Sequence, residues 1–209
     1  METHGGRHFG SKPPLFRVEF RGSVPGRDLK VNSRLRLTRG DYDAILRHLI
    51  AAQPDAEEVA FIFAAIETRG SPHGLLCGEW FPVPSGGFLS RGLYHLELTD
   101  EARAGAIRKA HQLDAVLVEL HSHPYSHEAS FSWSDVSGLR EFVPHVRWRL
   151  KGRPYGAIVV APQSYDSLIW TGDSIVPSGT LDLEIDGMLL RPTGLSLAAW
   201  RHERFREPI

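Results

Sequence analysis

The sequence predicts a single α+β or mixed α/β domain, with a central mixed β-sheet flanked by helices. Three observations carry that expectation. Short apolar runs alternate with helical periodicities, in the coarse order ββ-α-βββ-α-β-α-ββ-β-α. Val59–Ile66 is a continuous apolar run, as expected of a strand buried on both faces. The 209 residues, 42% hydrophobic and 23% charged, suit one globular core.

Residues 1–13 are rich in Gly and Pro and read as a disordered N-terminal tail, leaving 14–209 as the folded domain. Leu15–Arg21 alternates loosely and Leu29–Thr38 more regularly, predicting two strands joined near Pro25-Gly26. Tyr42, Ile45, Leu46, Leu49 and Ile50 recur at helical spacing, and Pro54 should end that helix. Leu75–Val83 and Gly92–Leu98 read as strands on either side of the turn-rich Pro84–Gly87. Thr99 ahead of Asp100 and Glu101 is a helix start, with both acids favourably placed at its N-terminus. That helix should run to about Gln112. Ala115–Leu120 predicts a second central strand leading into His121-Ser122-His123-Pro124. Ser134-Asp135 opens a helix with Val136, Leu139, Val143 and Val146 on its apolar side. Tyr155–Ala161 and Tyr165–Trp170 form a hairpin about Pro162-Gln163-Ser164. One more strand near Leu181–Leu190 and a short helix near Leu197–Phe205 complete the chain.

Lys+Arg 24 against Asp+Glu 25 leave a net charge of −1, which offers no global pull on nucleic acid. No apolar stretch approaches the roughly 20 residues of a membrane span, so no membrane partner is expected. The polar Met1–Phe9 lacks the apolar centre of a secretory signal. The single Cys77 cannot form an intrachain disulfide and suits a reducing compartment, so a cytoplasmic location is expected.

Eleven histidines direct attention to His121 and His123. Two apart at the end of a strand, their imidazoles share one face, which is half of a tetrahedral zinc site. Asp135, twelve residues past His123, can complete a three-ligand set with the fourth position left to water, the pattern of a catalytic zinc. Ser132 stands three residues before Asp135, within reach of a polarised carbonyl oxygen. Glu57 and Glu58 both stand at the mouth of the 59–66 strand, where either could supply a base. Each piece has a plainer account. His-x-His can be an exposed polar loop, Ser-x-x-Asp a helix cap with its first turn, and Glu57-Glu58 a solvated pair.

In its order and spacing, Glu…His-x-His-Pro…Ser-x-x-Asp resembles the JAMM motif of the JAB/MPN metalloproteases, over about residues 30–172. Those enzymes are zinc isopeptidases that act on ubiquitin or ubiquitin-like proteins, and the chain looks like their prokaryotic branch. The resemblance implies one Zn2+ per chain held by His121, His123 and Asp135, with Ser132 stabilising the oxyanion. It implies Glu57 as the base, because Ala60 and Ala64 then occupy the family's small positions, whereas Glu58 would place Phe61 at one. The family's usual seven residues between the second His and the Ser become eight here, Pro124–Phe131, an insertion of low entropic cost.

The function implied is cleavage after the C-terminal Gly of a ubiquitin-like protein, by glutamate-assisted attack of a zinc-bound water. Activating and conjugating enzymes would be associated partners. The loop 124–131 and the strand region 75–83 are expected to flank the substrate tail. His127 and Glu128 read as exposed loop residues. Two other functions compete: a non-catalytic MPN scaffold, and a small-molecule zinc amidohydrolase.

Overall fold

The computed structural model describes residues 32–50, 55–67 and 74–202. The expected tail over 1–13, the strand over 15–21 and the stop at Pro54 lie outside the described residues.

Thr38 opens the first helix by accepting the N–H of Asp41 on its side chain, so the strand β1 (Asn32–Leu37) passes directly into α1 (Arg39–Leu49). The apolar run forms β2 (Val59–Ile66), and the next strand, β3 (Gly74–Pro82), returns antiparallel beside it. A short hairpin follows, β4 (Phe88–Arg91) and β5 (Leu96–Leu98), paired as a separate two-stranded sheet. The expected single strand over 92–98 is therefore the turn and second arm of this hairpin. Thr99 caps α2 (Asp100–Gln112) through the Ala102 N–H, as its sequence predicts.

The chain continues through β6 (Val116–Ser122), α3 (Trp133–Arg149), β7 (Tyr155–Ala161) and β8 (Ser164–Trp170). Then come β9 (Thr180–Ile185), β10 (Met188–Leu190) and α4 (Leu195–Arg201). The expected strand over 181–190 is broken at Asp186-Gly187. Both residues have positive φ, 47° and 87°, the backbone of a two-residue turn that reverses a hairpin.

Eight strands form one mixed sheet, in the order β10-β9-β1-β3-β2-β6-β7-β8. Its ends curl together. The Tyr165 hydroxyl on β8 donates to the Leu190 carbonyl at 2.8 Å and accepts the Leu183 N–H at 3.1 Å. Ser167 Oγ accepts the Leu181 N–H at 2.9 Å. These side chains satisfy backbone groups of β9 and β10 that would otherwise be buried without partners.

Alternation along the strands sorts the core into two layers. Ala60, Ile62, Val118, Leu120, Ile158 and Leu181 face the inside of the curl, where Ile45 and Leu49 of α1 pack on them. Val59, Phe61, Phe63, Leu117, Tyr155 and Trp170 face α2, α3 and α4. Sheet and helices thus match the α+β expectation, with helices on both sides of a central sheet. No helix among the described residues is long and apolar enough to cross a membrane.

Gly156 of β7 marks how closely the inner layer is packed. A Cβ there would lie 2.9 Å from Leu181 Cδ1 and 3.2 Å from both Val118 methyls. Gly156→Ala should therefore destabilise the protein by about 1–3 kcal/mol, the usual cost of overpacking, read as a lower denaturation midpoint. An unchanged midpoint would show that the curl can widen freely.

Candidate metal centre

The site begins with strand register. In the antiparallel pair β2–β6, Val59 lies opposite His121 and Ala60 opposite Leu120. Continuing that register by one pleat brings Glu57, just before β2, opposite His123, just after β6. Backbone and side chain hold the extension in place: the Ser122 N–H donates to the Glu58 carbonyl, and the Glu58 N–H donates to Ser122 Oγ at 2.9 Å. Ser122, fully buried, is thus a structural pin rather than a nucleophile.

The third element is α3. Ser132 is its N-cap, two residues earlier than the expected start at Ser134, and Ser132 and Asp135 form a reciprocal capping box. Ser132 Oγ accepts the Asp135 N–H at 3.1 Å, and Asp135 Oδ2 accepts the Ser132 N–H at 2.7 Å. The plainer account of Ser-x-x-Asp therefore holds, and Asp135 does more besides. Its Oδ1 is 3.5 Å from His121 Nε2 and its Oδ2 is 3.3 Å from His123 Nε2. The cap fixes the carboxylate between the two imidazoles.

His121, His123 and Asp135 place one ligand atom each within 4.8 Å of one another, a group able to hold a metal ion. The two carboxylate–imidazole separations are close to the roughly 3.3 Å edge of a tetrahedron with bonds of about 2.05 Å. His121 Nε2 adds an independent test. It is buried and has no hydrogen-bond partner, with Asp135 Oδ1 at 3.5 Å its charged neighbour. A buried imidazole nitrogen without a partner is costly unless a cation takes its lone pair. The residues present fit a divalent metal.

Glu57 stands beside this group, only 5% exposed, with Oε1 at 3.8 Å from His123 Nε2. Glu58 points elsewhere and pairs with Arg91. Burial raises the Glu57 carboxyl above the ordinary glutamate range, a shift partly opposed by His121 and His123. Burial alone would also raise Asp135, but the two imidazoles outweigh it and hold this carboxyl far below the usual range. For His121 burial would lower the pKa, yet Asp135 prevails and the net shift is upward.

The centre opens into a cavity of about 170 Å³ lined by Glu57, His123, Ser132, Ser134 and Asp135 from the expected segments. Tyr125 and Ser126 of the following loop also line it. Its remaining wall, Leu93, Tyr94, His95 and Leu96, is the turn of the β4–β5 hairpin, where the sequence suggested only a strand. No residue of the expected 75–83 region lines it. The hairpin is held over the centre by the Glu57 N–H, which donates to the Gly92 carbonyl at 2.8 Å. The abundance of histidine was the available signal for His95, but nothing in its neighbours marked it. Phe131 is buried, with its ring 5.6 Å from that of His121. His127 and Glu128 are exposed, as expected. The Cys77 thiol, on β3 outside the cavity lining, is pushed up to about 12 by burial and is no nucleophile.

No family model matches the chain, and no curated protein matches it.

Two outcomes follow from the charge balance. His121 must give up its proton to ligate a metal, so zinc uptake at about pH 6.5 should release acid, and affinity should weaken as the pH falls toward 6. Potentiometry and competitive titration check this, and a pH-independent affinity would contradict it. In chelator-treated protein the His121–Asp135 pair should contribute most to stability between about pH 4 and 6.5. The raised His121 stabilises it below about 6.5 and loses that contribution as the pH climbs through its folded value. The depressed Asp135 contributes above about 3.9, and that is lost as acid approaches its folded value. Calorimetric midpoints across this range measure both limbs.

Proposed function

We propose that this chain is a zinc-dependent isopeptidase or peptidase of the JAMM type, cutting after the C-terminal Gly of a ubiquitin-like protein. The observation that carries the reading is the meeting of Glu57 with His121, His123 and Asp135. The resemblance of the motif supplies the substrate class.

A bound zinc would supply a water acidified to a pKa of about 7 and a Lewis acid for the scissile carbonyl. His121, His123 and Asp135 would hold the ion. Glu57, its carboxyl raised by burial, is suited to take the proton of the attacking water and deliver it to the departing amine nitrogen. Ser132 Oγ accepts the Asp135 N–H on one lone pair, and its own hydroxyl proton is suited to donate to the oxyanion. No residue is acylated in this scheme.

The surroundings favour a threaded chain over a small amide. The cavity of about 170 Å³ is smaller than the roughly 300–1,000 Å³ of typical small-molecule sites. Tyr94 and Tyr125 at its walls are 83% and 56% exposed, so they offer aromatic surface outside the cavity itself. A slender Gly-ending tail can enter such an opening while the rest of its protein stays outside.

Glu57→Gln should retain zinc and fold yet lose nearly all turnover. If Glu58→Gln is inactive and Glu57→Gln active, the base is misassigned. Ser132→Ala should lose roughly 10²–10³-fold in rate, along with about 1 kcal/mol of cap stability. Ser132→Gly separates the two effects, since glycine caps almost as well but has no hydroxyl; it should show the same loss in rate. The substrate is tested with ubiquitin-like proteins ending in Gly, each fused to a C-terminal extension, with cuts mapped by mass spectrometry. Cleavage of short amides without cleavage of any fusion would favour the amidohydrolase.

A further inference from the structure

The segment before and within α4 lies against the loop that joins the two halves of the metal centre. Thr193 Oγ1 donates to the Ala129 carbonyl at 2.8 Å, and the Phe131 N–H donates to Ser196 Oγ at 2.8 Å. Ser164, at the start of β8, accepts the Ala129 N–H at 2.8 Å. Ala129 and Phe131 are both buried, and both lie between His123 and Asp135. The loop that carries one insertion relative to the motif is thus fastened by its backbone, from outside the motif.

That fastening has its own foundation. Asp166 on β8 is fully buried, and among the described residues no cation pairs with it. Its Oδ1 accepts the N–H groups of Ser167 at 2.9 Å and Gly194 at 3.0 Å, and its Oδ2 accepts that of Ser196 at 2.8 Å. Gly194 stands at the N-cap of α4 and has no side chain to cap with. Asp166 reaches across from the sheet and takes that place. A buried carboxylate is tolerable when N–H donors surround it in this way.

Ser196 is the link between the two sets of bonds. It is fully buried, its N–H is held by Asp166, and its Oγ holds Phe131. Phe131 packs its ring 5.6 Å from that of His121 and immediately precedes Ser132, the cap that aims Asp135. A shift of Phe131 would therefore reach two ligands at once.

We propose that Asp166 and Ser196 are positioning residues: the chain Asp166–Ser196–Phe131 braces the 124–131 loop and sets the spacing of the metal ligands. This rests on the metal reading of His121, His123 and Asp135, and it assigns a role to the segment beyond the motif.

The test uses the full chain and Co2+ as a spectroscopic stand-in for zinc. Ser196→Ala leaves the Phe131 N–H without its acceptor. Asp166→Asn sets an amide against the α4 donors. Ser178→Ala is the control, since it removes the acceptor of Thr171 N–H at the far end of β8 and touches nothing in the loop. Both brace variants should bind Co2+ about 10-fold more weakly, the lower end of the loss seen when a direct partner of a ligand is removed, and change the d–d absorption. Amide exchange should quicken at Ala129 and Phe131 while the β2–β6 amides keep their protection. Ser178→Ala should show neither change. Wild-type affinity and spectrum in Ser196→Ala, or equal weakening in Ser178→Ala, would overturn the brace. A wild-type chain that takes up no Co2+ would overturn the metal reading instead, and the brace with it.

Discussion

The pairing of β2 with β6 is the constraint on which the rest of the site depends. Both strands are central and buried, and Val59 faces His121 across an antiparallel ladder. The side-chain period of a strand is two, so a slip of one residue would turn both histidines into the inner apolar layer and Val118 and Leu120 out of it. The cost of that exchange is the burial of unpartnered imidazoles in the inner apolar layer, together with the repacking of Val118 and Leu120 against the helices, which is several kcal/mol in order of magnitude. The register that builds the core is therefore the same one that sets Glu57 opposite His123. Fold and site cannot drift apart here.

Topology explains which ends of the strands meet. β6 and β7 run parallel, joined through α3, so the loop after β6 and the first turn of α3 lie together at the carboxyl end of the pair. β2 runs antiparallel to β6, so its opposite end arrives at the same edge. This is why the acid precedes its strand in sequence while the histidines stand at the end of theirs. Asp135 then serves two ends with one carboxylate. It closes the capping box of α3 and faces both imidazoles, so the helix start and the metal group are a single piece of polar structure.

Much of this was legible in the sequence, for physical reasons that differ by element. Val59–Ile66 was readable because both faces of the strand are buried, which leaves no polar position to blur the run. α2 was readable because its cap and first-turn acids are local signals. His121 and His123 were readable because a two-residue spacing on a strand fixes a shared face. Other features depend on contacts far apart in sequence. The curl is closed by Tyr165 and Ser167 bonding to backbone groups of β9 and β10, and no local pattern announces a side chain that will replace a ladder. The β4–β5 hairpin reads as one strand because its turn, Gly92–His95, carries Leu93 and Tyr94 rather than polar turn residues. Those residues are half-buried or exposed at the cavity, so the departure from turn chemistry falls where the site is. Asp186-Gly187 is a different case. The turn signal was present, and the apolar residues flanking it masked it.

The buried polar groups show how the fold tolerates a charged centre inside an apolar frame. Asp166, Ser167, Ser122 and Ser196 are all fully buried, and each has a backbone group as partner. They join segments that the ladders leave separate: the approach to β2, the end strands of the curl, and the start of α4. Glu57 and His121 are the buried polar residues for which side chains of the centre are the principal neighbours. Among the described residues, His121 Nε2, Arg36 Nε and Arg147 Nε are the buried side-chain atoms without a hydrogen-bond partner, and of the three only the imidazole nitrogen can offer a lone pair. The four structural groups named above are saturated by backbone, whereas His121 Nε2 lies within the group of three ligands. That lone pair, set within the group of three ligands, is best understood as reserved for a cation.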